Sequence, residues 1–142
     1  MFMSEYNHSL DTKGRLIIPQ KFREQLGEGF VLSRGMDHCL NLYTREEWEK
    51  FTAKLASMPE LSNPDGRKVT RFFIAGAEEL ETDKQSRILI PQVLREFARL
   101  GKEVVLAGVG NRIEIWDKAS WENYNNYDDV DSLAKSLEPY QI

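Results

Sequence analysis

LDTKGRLIIPQKFRE at residues 10–24 and TDKQSRILIPQVLRE at residues 82–96 decide the reading of this chain. Aligned, Asp11 falls on Asp83, Arg15 on Arg87, Pro19 on Pro91, Gln20 on Gln92, Arg23 on Arg95 and Glu24 on Glu96. The match continues downstream after small shifts in length. Leu26-Gly27 parallels Leu100-Gly101, FVLSRG (30–35) parallels VVLAGV (104–109), and LNLYTREEW (40–48) parallels IEIWDKASW (113–121), which sets Trp48 on Trp121 and Phe51 on Tyr124. Three matching segments in the same order are an internal repeat. The copies span about residues 5–51 and 78–124, with a connecting loop and helix at 52–77 and an acidic C-terminal tail at 125–142. Each copy is near the size at which a lone chain struggles to bury enough surface, so the halves are expected to share one core.

Within a copy, local signals give strand, turn, strand, short helix, strand, turn, strand and helix. EYNHSL alternates weakly and reads as a strand. In DTKGR, Asp11 can bond the backbone two residues on and Gly14 can take a positive φ, so a tight turn follows. RLIIP is a short apolar run closed by proline, which fits a buried strand. Pro19 suits the first turn of a helix and Gly27 its end. FVLSRG and CLNLY read as strands around a polar turn at Met36-Asp37-His38. Thr44-Arg45-Glu46-Glu47 is a capping-box pattern, and Trp48, Phe51 and Leu55 at helical spacing place a helix over 45–56. Asp117 is the matching cap in the second copy, whose last helix is shorter because NNYDD holds poor helix formers. SMPELSNPDG (57–66) reads as a loop. RKVTRFFIAGA reads as a helix with Val69, Phe72, Phe73 and Ala77 on one face, a strand being the alternative. From Asp128 on, a short helix and a frayed tail are expected.

Composition excludes several classes. The chain has 142 residues, 41% of them hydrophobic, enough for a core and too many for a disordered tail. No apolar stretch approaches the roughly 18 residues a spanning helix needs, so no membrane role is expected. MFMSEYNHSLD lacks the basic-then-apolar pattern of a secretory leader, and Cys39 is the single cysteine, which points to the cytoplasm. No nucleophile elbow, phosphate loop, dinucleotide fingerprint or zinc motif occurs, so no enzyme activity, cofactor or metal is expected. His38 and Cys39 are neighbours, and on a strand would face opposite ways. Trp48 and Trp121 read as core anchors.

Charge is the more informative signal. The net charge is −4, which excludes a uniformly basic nucleic-acid binder. Yet between Asn7 and Arg23 stand Lys13, Arg15, Lys21 and Arg23 against the single acid Asp11. The second copy has Lys84, Arg87, Arg95 and Arg99 near the same place, beside more acids. Asp11 and Asp83 are read as fixing the turns, and Arg15 and Arg87 as being presented just past them. Arginine's planar fork suits phosphate oxygens and guanine edges, and Lys13 at a tip supplies a point charge for phosphate. A protein-interaction scaffold is the alternative, favoured by the net acidity and the aromatic residues; a small hydrolase has no motif to support it.

MFMSEY, the paired DTKGR and DKQSR motifs, RLIIPQKFRE and NRIEIW together resemble the MraZ family, from Met1 to about Tyr124. Each copy also resembles the AbrB/SpoVT swapped-hairpin module. The resemblance implies an α+β, mainly β fold in which two such repeats interleave into a small β-barrel with flanking helices. It implies a nucleoid-associated transcriptional regulator, mainly a repressor of its own division and cell-wall operon, that binds double-stranded DNA at short direct repeats. It further implies self-assembly into rings of about 8–12 subunits. By motif match the DNA-contacting residues are Lys13, Arg15, Arg23, Lys84, Arg87 and Arg95, with Asp11, Gly14 and Asp83 structuring the turns. Ser86 stands where the first copy has Gly14, so the second turn is expected to differ.

Overall fold

The same short signals recur in both repeats, and the same elements follow from them. In the computed structural model, which describes residues 1–60 and 62–142, β1 (Glu5–Ser9) and β2 (Arg15–Ile17) flank the first Asp-led turn. Then come α1 (Gln20–Leu26), β3 (Phe30–Arg34), a 3-10 turn at Met36–His38, β4 (Leu40–Tyr43) and α2 (Arg45–Ala56). After α3 (Pro64–Thr70) the order repeats with β5 (Glu78–Leu80), β6 (Arg87–Leu89), α4 (Gln92–Phe97), β7 (Glu103–Gly108), β8 (Ile113–Asp117) and α5 (Lys118–Tyr124). A last helix, α6 (Val130–Leu137), precedes a 3-10 turn at Glu138–Tyr140. Pro19 and Pro91 stand just ahead of α1 and α4 with φ of −53° and −56°, a position where a missing N–H costs no helix bond. Thr44 caps α2 by accepting from the Glu47 N–H at 3.1 Å, and Asp117 caps α5 by accepting from the Ser120 N–H at 3.3 Å.

Strand pairing crosses between the repeats. The main sheet is antiparallel with the order β1-β7-β8-β4-β3-β5, so β1 of the first repeat lies on β7 of the second and β5 of the second on β3 of the first. β4 and β8 join the halves at the centre. β2 and β6 pair only with each other, as a separate two-stranded ribbon. The expected closed barrel is therefore corrected to an open six-stranded sheet with a ribbon packed beside it. The reason is pairing: β2 and β6 bond each other rather than the sheet, so β1 and β5 remain as edges.

One core serves both repeats. Leu16, Ile18, Phe22 and Leu32 pack in the same cluster as Ile88, Ile90, Leu94 and Leu106, all essentially inaccessible. Each such burial contributes ~1.5–3 kcal/mol relative to exposure. β7 is buried on both faces: Val104 and Leu106 join this core, while Val105 and Ala107 pack with Trp116 and Trp121 on the other side. Trp48 packs on Tyr43 and Phe51, with ring centroids 5.7 and 5.9 Å apart, so both repeat tryptophans anchor a helix to the sheet.

The segment between the repeats is helical, as its apolar face implies. α3 starts inside the stretch expected to be loop, with Asn63 accepting from the Asp65 N–H at 3.0 Å; Leu61, in the same stretch, lies outside the described residues. A π turn over Arg71–Ala75 continues α3. Two carbonyls of this last turn are satisfied from β3: Ser33 Oγ donates to Phe73 O at 2.8 Å and Arg34 Nη1 to Phe72 O at 3.1 Å. In the second repeat the turn after α4 holds Arg99 at φ +54°, in the place Gly27 holds in the first with φ +66°. The sequence match of Leu26-Gly27 with Leu100-Gly101 is thus displaced, because Leu100 and Gly101 are extra residues before β7.

Candidate nucleic-acid interface

Both Asp-led turns are built on one plan. In the first, the Gly14 N–H donates to Asp11 O and the Asp11 N–H to Arg15 O, each at 3.0 Å. Asp11 Oδ1 accepts the backbone N–H groups of Lys13 and Arg15, both at 2.9 Å, and Oδ2 accepts the Arg15 Nε–H at 2.6 Å. In the second, Asp83 Oδ1 accepts from Gln85 and Arg87 at 2.9 Å, and Oδ2 accepts from Arg87 Nε at 2.9 Å. Ser86 adopts φ +64° where Gly14 has +83°. The turn expected to differ therefore does not: three N–H donors on Asp83 hold Ser86 in the left-handed region that Gly14 enters freely.

These bonds set the acidity of the aspartates. The Arg15 backbone N–H, opposed by desolvation and helped by the Arg15 guanidinium and the Lys13 N–H, holds the Asp11 carboxyl down to about 2. Asp83 is lowered from the usual carboxylate range for the same reason, chiefly by the Arg87 N–H. Each carboxylate fixes the Nε edge of its arginine. The Nη groups of Arg15 have no hydrogen-bond or ion-pair partner among the described residues.

The ribbon brings the two turns together. Leu16 and Ile88 pair on its inner face, while Arg15 opposite Leu89 and Ile17 opposite Arg87 form the outer one. The Ile18 N–H donates to Ser86 O at 2.9 Å and the Ile90 N–H to Gly14 O at 3.0 Å, so each strand end is tied to the other repeat's turn. Arg87 Nη1 comes within 3.9 Å of Asp11 Oδ2, so one carboxylate faces both arginines. Ile17 and Leu89 are 47% and 55% exposed, which sets two apolar side chains among the cations. Reasoning from sequence did not pick out these two residues; their signal was the alternation in RLI and RIL, which sends them to the arginine face.

The remaining expected residues lie around this ribbon. Lys13 and Lys84 stand exposed at the turn tips, with side chains in no ion pair among the described residues. Arg23 donates its Nε–H to Ile18 O at 2.9 Å, which holds its guanidinium at the end of β2. Arg95 crosses from the second repeat to the first turn and lies against Gly14, where a Cβ would collide with its guanidinium. Arg15 and Arg87 are thus joined through Asp11, and Gly14 touches Arg95. His38 is in the 3-10 turn rather than on a strand, and Cys39 beside it is buried with Sγ 3.0 Å from Met36 O. Burial pushes the Cys39 thiol up to about 12.

Comparison with known proteins covers nearly the whole chain. The family model described as "MraZ protein, putative antitoxin-like" matches residues 1–72 and 73–139. A transcriptional regulator MraZ of Thermoanaerobacter sp. (strain X514) is 52% identical over the whole of both chains. Proteins of the same name from Acetivibrio thermocellus and Clostridium tetani are 52% and 49% identical, each with 96% of both chains covered. With both halves matched in order, and relatives this similar from end to end, the chain belongs to the MraZ family.

Proposed function

We propose that this protein is a transcriptional regulator that binds double-stranded DNA through the β2–β6 ribbon. The observation that carries the reading is the pair of Asp-held arginines, Arg15 and Arg87, half-buried side by side on the outer face of one ribbon of an otherwise acidic protein. Arginine at a base edge reads sequence, Lys13 and Lys84 meet phosphate, and Arg23 and Arg95 flank the contact. Ile17 and Leu89 suit thymine methyl groups. The relatives' name, transcriptional regulator MraZ, supports the same function. In this reading the cross-repeat strand exchange is the AbrB-type swapped hairpin made within one chain, with repeats at 5–51 and 78–124. The protein acts at the nucleoid, mainly as a repressor of its own division and cell-wall operon. Subunits assemble into a ring whose repeated face suits direct repeats in the promoter. A scaffold function is the second reading, favoured by the exposed apolar residues Val130, Leu133 and Leu137 on α6.

The test is a gel shift with a multi-repeat fragment of the protein's own upstream DNA. Arg15→Ala is expected to weaken binding by ~1–3 kcal/mol while the protein stays folded and oligomeric. Wild-type binding by such a variant would remove Arg15 from the site, and no DNA pull-down by the wild type at moderate salt would favour the scaffold.

A further inference from the structure

The ribbon's two arginines are related by the repeat, but its two flanks are not alike. Beside the first turn lies a cleft of about 950 Å³ bounded by Asp11, Gly14, Arg95, Glu96, Arg99 and Lys102 among others. On the side of the second turn a smaller cleft of about 250 Å³ is bounded by Gly27, Glu28, Phe30, Glu81 and Thr82. Arg95 has Arg23 as its counterpart, but Arg99 stands where the first repeat has Gly27 and Lys102 where it has Glu28, so the first flank carries two cations that the second lacks. The acids of the first cleft are engaged: Asp11 by its turn and by Arg15, and Glu96 by the Gln92 amide at 3.0 Å. Arg99 and Lys102 are exposed, and neither side chain has a hydrogen bond or ion pair among the described residues.

The backbone at Arg99 is a second, independent observation. Its φ of +54° is in the left-handed region, in the turn after α4 where the first repeat has Gly27. Glycine is the usual residue there because a Cβ crowds the following carbonyl. The Arg99 N–H to Glu96 O bond at 3.1 Å and the Leu100 N–H to Arg95 O bond at 3.0 Å keep the turn closed despite it. A long cation held in a strained backbone position at the mouth of a cationic cleft is a feature of sites rather than of solvated surface.

We propose that the first cleft is a phosphate groove: Arg99 and Lys102 hold one DNA backbone beside the first turn, while Glu28 and Glu81 keep the other flank off phosphate. The proposal rests on the DNA-binding reading and gives it a direction. Two-fold-related arginines alone would match a palindrome. Cations on one flank fix which way round the duplex lies, which is the property that same-direction repeats demand.

The experiment uses the full-length protein and a labelled duplex of mixed sequence, with binding measured over a range of NaCl and oligomer mass measured by light scattering. The variant is Arg99→Gly with Lys102→Gln; glycine relaxes the backbone at 99, so lost binding is not lost folding. Affinity is expected to fall roughly tenfold, and the slope of log K against log salt to fall by about 1.8, two phosphate contacts. Oligomer mass stays unchanged, and Glu28→Gln with Glu81→Gln tightens binding. Unchanged affinity and slope in the Arg99/Lys102 variant, while Arg15→Ala loses binding, would overturn the groove and leave the DNA reading standing. A changed mass with intact DNA binding would overturn it in favour of a contact between subunits. Absence of salt-dependent binding by the wild type would end the DNA reading and the groove with it.

Discussion

Asp11 joins the turn, its own arginine and the arginine of the other repeat in one carboxylate. Its folded acidity is depressed to about 2, so its stabilising effect is fully present above the ordinary carboxylate range and is lost as pH falls through about 2. Asp11→Asn is therefore expected to lower the denaturation midpoint at pH 6, with the gap from wild type closing as pH approaches 2; a gap that stays constant across that range contradicts the assignment. The two left-handed turn positions give a paired prediction. Ser86→Gly removes a Cβ from φ +64° and is expected to stabilise by ~0.5–1 kcal/mol in urea denaturation. Gly14→Ala adds one at φ +83° and against Arg95, and is expected to destabilise by ~1–2 kcal/mol. Equal and negligible effects would mean that the turns tolerate either residue.

At the scale of elements, the ribbon is what makes two local turns into one surface. Leu16 and Ile88 are its inward side chains, 0% and 1% exposed, and Leu16→Ala is expected to cost ~2–5 kcal/mol. A loss below ~1 kcal/mol in the same measurement would show that the ribbon is not held by the core. Most elements were legible because their signals are local: Thr44 and Asp117 as caps, Gly14 in a turn, Trp48, Phe51 and Leu55 at helical spacing. The repeat itself announced a shared core. The pairing partners were not legible, since nothing in EYNHS distinguishes β7 from β2 as its neighbour; that choice is made by long-range burial. The expected barrel fails on the same ground, because RLI and RIL bond each other rather than the sheet and leave β1 and β5 as its edges. The Asp11–Arg15 ion pair had a signal, opposite charges four residues apart around a tight turn, yet the reading assigned Asp11 to the backbone alone. The similarity of the second turn was hidden because Ser86 has no intrinsic preference for the conformation its neighbours impose.

At the scale of the molecule, the exchange of β1 and β5 makes each half depend on the other. Residues 1–61 and 62–142 prepared separately are expected to be unfolded by circular dichroism and to recover structure on mixing; a half that folds alone would contradict the shared core. The central claim is that the two turns, drawn together by this exchange, are one DNA-binding surface. Equilibrium binding of the Arg15→Ala/Arg87→Ala double variant to its own promoter DNA, with folding and oligomer mass checked on the same sample, tests it most directly. The account predicts a folded, assembled protein that has lost sequence-specific binding by well over ~1.4 kcal/mol, a factor of ten. A folded double variant that binds as the wild type does would contradict it.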